Sequence, residues 1–440
     1  MLDPCVEPRR QFSKDATDVR ERKDREPRIG FFGHFGQINF GNESTLQAML
    51  YNIRRCVPGA ELTCICTNPE VTTTSYGVDA VQMNGVFLKP QWLQGDPLSR
   101  TLRKIIIGIP SEVFRWYKAA CTLKDLDALI VVGTGLLTDA YGLVSWGPYS
   151  VFKWSVIARA CRCKLLFVSV GAGPIYGPLG RWLIRAALSL ADFRSYRDLA
   201  TMQCVRGIGV RTSHDRVYPD LAFSLPENVM PHDDLQKGRR PVVGLGLMQY
   251  AGRLSAESPS DAVYRAYLEN LVRFVGWLFG RGYDVRLLIG DIFDRPVTRE
   301  FKSLLRERLG SYDEERVIDE PIGSVEQLLS QIATTDAVVA TRFHNVLLAL
   351  MLKRPVISIS FHQKCVSLMR EMGLAEYCQN INQLDAERLI EQFRELERNG
   401  DDLRRAIGRK TDEYRSALDE QYGAIGRELR GSRLGARCSI

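Results

Sequence analysis

Arg342 and His344 stand two residues apart, between the apolar run Ala337–Ala340 and a second apolar stretch over residues 345–351. The first run has the length and composition of a buried strand, and the second begins a helix. A strand that delivers a polar break to a helix start makes a place for an anion. The first backbone N–H groups of the helix face outward with positive partial charge, and Arg342 adds a planar fork that suits a carboxylate or phosphate. The same residues also fit a scaffold role, in which Arg342 pairs with a neighbouring acid and His344 caps the helix.

The first half of the chain offers the other half of a crevice. Residues 28–33 read as a strand, followed by the polar, glycine-punctuated loop 34–41 and a helix over residues 42–55. That helix places Leu46, Met49, Leu50 and Ile53 on one face, with Asn42 as its N-cap. Strand, loop and helix outline a phosphate or sugar cradle, although the spacing matches neither a Walker loop nor a GxGxxG fingerprint. Two more apolar strands, 127–132 and 164–170, end in Gly133-Thr134-Gly135 and Gly171-Ala172-Gly173-Pro174. Glycines there permit positive φ and close backbone approach to a ligand, or serve only as tight turns. Residues 193–198 read as a short strand entering a helix, which brings Arg197 near a second helix start. Open α/β sheets bind ligands in such crevices, outside the carboxyl ends of their strands.

The elements that position these residues divide the chain. Residues 1–27 are a charged tail, 28–226 a first α/β domain, and 227–240 a polar linker carrying Pro231. Residues 241–380 form a second domain, with strands near 242–247, 284–289, 316–319, 336–340 and 355–360 alternating with helical patterns. That rhythm is the signature of a parallel sheet covered on both faces. Residues 381–440 are charged helices and a tail that cover the sheets.

The 440-residue chain, 45% hydrophobic and 25% charged, is long enough to bury two cores. Its net charge of +7 is modest and scattered, so nucleic acid is not the leading partner. An anionic small molecule or an acidic membrane face fits instead. No apolar run approaches the roughly 18 to 20 residues that span a bilayer, and the N-terminus lacks a signal-peptide core, so a cytoplasmic protein is expected. Basic and aromatic residues over 102–118 fit either a peripheral contact with lipid headgroups or a buried strand followed by a solvated helix. The eleven cysteines include no CxxC pair. Cys64 with Cys66, and Cys161 with Cys163, fit same-face packing on strands, so reduced thiols and no metal site are expected.

The ordered landmarks resemble the polysaccharide pyruvyl transferase family. They are Asn39-x-Gly41-Asn42-Glu43, Gly133-Thr134-Gly135, Val170-Gly171-Ala172-Gly173-Pro174, Ser195-x-Arg197-Asp198, Pro219-Asp220-Leu221-Ala222-Phe223, Arg342-Phe343-His344, and the strand at 355–359 leading to Lys364. The similarity runs in order over roughly residues 29–375. Two departures stand out: Asn42 occupies the place of a common Asp, and Thr134 that of a common Gly.

The resemblance implies two Rossmann-like domains facing across a cleft, similar to the GT-B glycosyltransferase fold, with the acceptor on the N-terminal side and phosphoenolpyruvate on the C-terminal side. It implies a transferase that moves the three-carbon unit of phosphoenolpyruvate onto two hydroxyls of a sugar in an exopolysaccharide or cell-surface glycan precursor, forming a pyruvate ketal and releasing phosphate. No cofactor is implied beyond phosphoenolpyruvate as donor substrate. On this reading Arg197 and Arg342 grip the donor, Phe343 belongs to the same motif, and Lys364 neutralises phosphate charge or is a surface lysine. Asn39, Asn42, Gly133, Gly135, Gly171 and Gly173 shape the substrate loops. His344 protonates the donor or its leaving phosphate. Glu43 is the base for a sugar hydroxyl or a helix-start charge satisfying the dipole. His34 and His362 belong near the cleft by loop position, and His214 and His232 on the surface. The usual acceptor for this chemistry is a lipid-linked oligosaccharide at the cytoplasmic membrane face or a cell-wall polymer. Two other readings share the architecture: a GT-B glycosyltransferase using a nucleotide sugar, and a non-catalytic glycan-binding protein of a polysaccharide assembly complex.

Overall fold

A computed structural model describes residues 25–37, 39–84, 108–140, 142–143, 147–231, 239–250, 261–310 and 312–434. Strands β1 (Arg28–Phe32), β2 (Glu61–Cys66), β3 (Asp79–Gln82), β4 (Ala128–Val132), β5 (Lys164–Val170), β6 (Phe193–Tyr196) and β7 (Arg216–Val217) form one sheet in the order β3-β2-β1-β4-β5-β6-β7. Strands β8 (Val242–Leu247), β9 (Asp284–Ile289), β10 (Val317–Ile318), β11 (Ala337–Ala340), β12 (Val356–Ser360) and β13 (Cys378–Asn380) form a second, ordered β10-β9-β8-β11-β12-β13. Every pairing is parallel, for example Phe31 opposite Ile130 and Val339 opposite Ile357. Parallel strands need helical crossovers on both faces, so β4, β8, β11 and β12 are buried along their whole length and read as unbroken apolar runs.

In each sheet the order reverses between the first and fourth strands, β1 beside β4 and β8 beside β11. Helices on either side of such a reversal leave in opposite directions and open a crevice at the strand ends. One continuous apolar core joins the two sheets on their inner faces. It takes Leu46 and Ile53 from the helix Phe40–Cys56, Leu221 and Phe223 from the short turn Leu221–Ser224, and Val346 and Leu350 from the helix Phe343–Met351.

The C-terminal helix Gly400–Leu434 does more than cover surface. Its Thr411 hydroxyl bonds Leu350 O beside the second sheet (3.4 Å), and Tyr422 meets the Ser224 hydroxyl near the first (3.0 Å). The fully buried Gln421 donates from Nε2 to Ser195 Oγ (2.7 Å) and accepts at Oε1 from the Ser169 hydroxyl (3.1 Å). Ser169 lies at φ 45°, a left-handed conformation that costs a non-glycine residue energy, where the β5–β6 register shifts between Phe167 and Val170. A bulge of this kind re-aims the strand end.

Within the charged tail expected over residues 1–27, Arg25 bonds Asp125 O and pairs with Asp127 at 3.4 Å. Residues 1–24, most of the linker (232–238) and residues 102–107 of the basic aromatic stretch lie outside the described residues. Gln421→Leu strands the Ser169 hydroxyl in a dry core, while Ser195 Oγ keeps its bonds with Ser169 N and Phe167 O, and a loss of about 1–3 kcal/mol is expected. A urea titration checks it, as a lower midpoint at unchanged slope.

Candidate functional site

The loop after β1 crosses from one sheet to the other. Asn39 caps the helix Phe40–Cys56, its side-chain oxygen accepting from Asn42 N (3.2 Å), so the helix begins two residues earlier than expected and the cap is Asn39, not Asn42. The opposite end of the Asn39 amide donates to Asp291 Oδ2 beyond β9 (2.7 Å), and Phe40 N donates to Gly290 O (3.3 Å). These bonds pin the two strand-end crevices face to face.

Between them lies a cavity of about 100 Å³. Asn39, Asn42, Gly133, Gly135 and Arg197 line it from the first half, and Arg342, Phe343, His344 and Lys364 from the second. Arg342 is the N-cap residue of the helix Phe343–Met351 and makes a two-pronged bond to Asp294, with Nε to Oδ2 and a terminal nitrogen to Oδ1, both 2.7 Å. The acid partner allowed by the scaffold reading therefore exists, yet the guanidinium still borders the cavity. Asp294 is fully buried. Burial pushes its carboxyl pKa up, while Arg342 and the Gln249 N–H pull it back down.

Arg197 precedes the helix Leu199–Gly207, whose N-cap Asp198 accepts from Thr201 N (2.6 Å). Its guanidinium lies 3.4 Å from the buried Asp220 carboxylate. Phe343 is a shared platform: Arg197 Cζ is 5.4 Å from its ring centroid and Lys364 Nζ 5.2 Å, a cation–π geometry on both counts. The His344 ring stands edge-on to the same Phe343 ring at 5.0 Å. Among the described residues Lys364 Nζ has no carboxylate partner. Burial first, then Arg197, lowers its pKa to about 8. Burial likewise drives His344 well below the usual imidazole range, with Lys364, Arg197 and Arg342 acting in the same direction. Asp220, 4.0 Å from His344 Nε2, is too far for a hydrogen bond.

Glycines set these side chains in place by absence of bulk. A Cβ at Gly41 would lie 1.9 Å from His344 Nδ1, one at Gly171 2.2 Å from the Arg197 guanidinium, and one at Gly290 2.9 Å from Arg342 Cβ. None of Gly133, Gly135, Gly171 and Gly173 has a positive φ, so close approach, not left-handed backbone, is what these positions require. Gly171 seats Arg197 without lining the cavity, and Gly173 packs against Thr138 instead.

Glu43 stands apart from the cavity. It is not among the lining residues: its carboxylate accepts from Gly36 N (2.8 Å) and the Tyr76 hydroxyl (2.7 Å), holding the β1 loop together. Burial raises its pKa, and it is not placed to deprotonate a ligand in the cavity. His34 faces Thr67 (3.3 Å), and His362 caps the helix Gln363–Glu371, accepting at Nδ1 from Lys364 N (3.2 Å). His214 is exposed, and His232 lies outside the described residues.

Sequence reasoning left three residues without a role. Asp220 sat in a noted motif, and Asp294 follows β9 as Arg342 follows β11. Thr134, read only as a departure, lines the cavity with a buried hydroxyl that has no partner among the described residues. Gly41→Ala is expected to push the His344 ring out of its seat. Its imidazole, neutral far below pH 6.5 in the parent, then titrates closer to 6.5 by NMR.

Residues 39–363 match the profile of the polysaccharide pyruvyl transferase family. The amylovoran biosynthesis protein AmsJ of Erwinia amylovora is 19% identical over 304 residues, covering 67% of this chain and 71% of its own. HepE of Anabaena, solved with UDP and glucose, superposes with a TM-score of 0.56 at 12% identity, over 92% of this chain and 100% of its own. A putative UDP-N-acetylglucosamine 2-epimerase from Listeria monocytogenes gives 0.61 at 10% identity, over 92% and 97%. At such identities the likeness is one of fold, the two-domain GT-B arrangement.

Proposed function

The chain belongs to the polysaccharide pyruvyl transferase family, and on that premise we propose that it transfers the enolpyruvyl unit of phosphoenolpyruvate to two hydroxyls of a sugar in a surface-polysaccharide precursor. The observation that carries this reading is the convergence of Arg197, Arg342 and Lys364 with an uncharged imidazole on one cavity between the sheets. Phosphoenolpyruvate brings a carboxylate and a phosphate, and three cations with a helix start match that charge.

Proton traffic then falls to His344. Burial first, and the neighbouring cations after it, hold the ring neutral; the donor's negative charge offsets the cations and pairs with an imidazolium, so the ring gains a proton in the complex. The imidazolium gives that proton to the methylene carbon, and a sugar hydroxyl bonds the adjacent carbon while passing its own proton to the ring. The ring protonates the departing phosphate oxygen. The second hydroxyl then closes the ketal and returns its proton to the ring. Two hydroxyl protons enter, and one leaves on carbon and one on phosphate. Thr134, with its unpartnered hydroxyl, is available to a sugar or phosphate oxygen.

Phosphate release requiring both phosphoenolpyruvate and a glycan acceptor, with a pyruvate ketal adduct by mass spectrometry, is the expected result. Transfer from a nucleotide sugar with no such release would replace this reading. Arg342→Ala is expected to weaken phosphoenolpyruvate binding by about 10- to 100-fold. His344→Ala is expected to abolish turnover while binding persists. Because an anion favours the charged lysine and burial lowers the Lys364 pKa to about 8 in the empty cavity, the part of the affinity that Lys364 supplies is expected to hold below pH 8 and fall above it. In Lys364→Met that fall disappears.

A further inference from the structure

The helix Ile109–Leu123 is apolar on both faces, with Trp116, Ala119, Ala120 and Leu123 packed inward against the core of the first sheet. Its outward stripe is Ile109, Pro110, Val113, Phe114 and Tyr117, and the four large apolar residues among these are each more than half exposed. Its acid is turned inward, where Glu112 pairs with Arg115 and with Lys153 (3.3 Å) and accepts from the Tyr149 hydroxyl (2.8 Å). A solvated surface helix places its charges outward and its apolar residues inward. Here the neighbouring helix Pro148–Ala160 takes the charges, and water faces the apolar stripe.

The stripe does not stand alone. Beyond the helix Pro148–Ala160, whose Phe152 ring lies 5.3 Å from Trp182, the helix Pro178–Ser189 exposes Leu179 and Trp182 beside Arg181 and Arg185. Of the cations on these three helices, Arg115 and Lys153 pair with Glu112 and Arg159 pairs with Asp192 (2.9 Å), which leaves the exposed Lys118, Arg181 and Arg185 without an ion pair among the described residues. Apolar and aromatic side chains set among uncompensated cations match an anionic bilayer, where rings enter the headgroup boundary and guanidinium groups meet lipid phosphates. No described helix is long and apolar enough to cross a membrane, so the contact is one of lying on the surface. The helix Pro178–Ser189 begins at the end of the loop that opens with Gly171, under Arg197. The patch therefore borders the first sheet's side of the cleft.

We propose that this three-helix face of the first domain docks on an anionic membrane surface, with Phe114, Tyr117 and Trp182 as its inserted anchors. Its use in presenting a lipid-linked acceptor rests on the transferase reading above. Vesicle binding requires neither donor nor acceptor, so the two fail separately.

The test is co-sedimentation of the full chain with vesicles of mixed phosphatidylglycerol and phosphatidylcholine, and with phosphatidylcholine alone. The chain is expected to sediment with the anionic vesicles and to be released by salt. A combined Phe114→Ser, Tyr117→Ser and Trp182→Ser variant is expected to lose about 100-fold in partitioning with an unchanged thermal melt. Arg181→Gln with Arg185→Gln is expected to remove the preference for anionic lipid. Lys364→Met, in the cleft, is expected to sediment as the parent does. Failure of the parent to sediment, or sedimentation of the triple variant equal to the parent, would overturn the proposal. So would a parent dimer in analytical ultracentrifugation that the triple variant breaks, since a second copy would then cover the face.

Discussion

Three cations and an imidazole share one small cavity, and like charges so close repel. Two buried carboxylates make the arrangement tenable, Asp294 beneath Arg342 and Asp220 beneath Arg197. The Phe343 ring lies within cation–π distance of both Arg197 and Lys364 and offsets part of their repulsion. The residual imbalance appears at two buried groups that no acid bonds directly among the described residues, although Asp220 lies 4.0 Å from His344 and raises the Lys364 pKa in part. Lys364 titrates at about 8, and His344 stays neutral. An empty site in this condition gains from any ligand that brings negative charge, and the gain is larger because the groups are already desolvated.

Holding that charge requires parts distant in sequence to agree. Gly41 of the first half gives His344 of the second its place, and Asn39 ties the β1 loop to Asp291 beyond β9. On the other flank, the β5 bulge at Ser169 is secured from below by Gln421, some 250 residues away in the chain. That bulge sets Val170 O, which accepts from Arg197 N (3.1 Å), and Gly171, against which the guanidinium lies. The C-terminal helix thus belongs to the architecture of the site, although it contributes nothing to the cavity wall.

Much of this was legible in the sequence because local pattern determines it. Apolar runs with glycine or arginine at their ends gave the strands β1, β4, β5, β11 and β12, and the residues they deliver. Arg197, Arg342, Phe343, His344 and Lys364 meet because a doubly wound sheet brings its strand ends to one edge. What depended on partners across space was not legible. Glu43 has the chemistry of a base, and only its contacts with Gly36 and Tyr76 reveal that it is spent on the loop. Asp220 and Asp294 look like any other acids until the arginine above each is seen. The glycines were marked for positive φ, close backbone approach or tight turns, and which of these applies depends on what packs against them; at Gly171 it is clearance for the Arg197 guanidinium. The short strands β7 and β13, of two and three residues, carry too little periodicity to be recognised without their neighbours.

The central claim is that the cleft is a cationic site whose neutral imidazole becomes an acid when an enol phosphate arrives. Calorimetric titration of phosphoenolpyruvate near pH 7, in buffers of different ionisation enthalpy, counts the protons exchanged on binding. The parent chain is expected to take up more protons than His344→Asn, in which the position cannot ionise. Binding with equal proton exchange in both would contradict the claim.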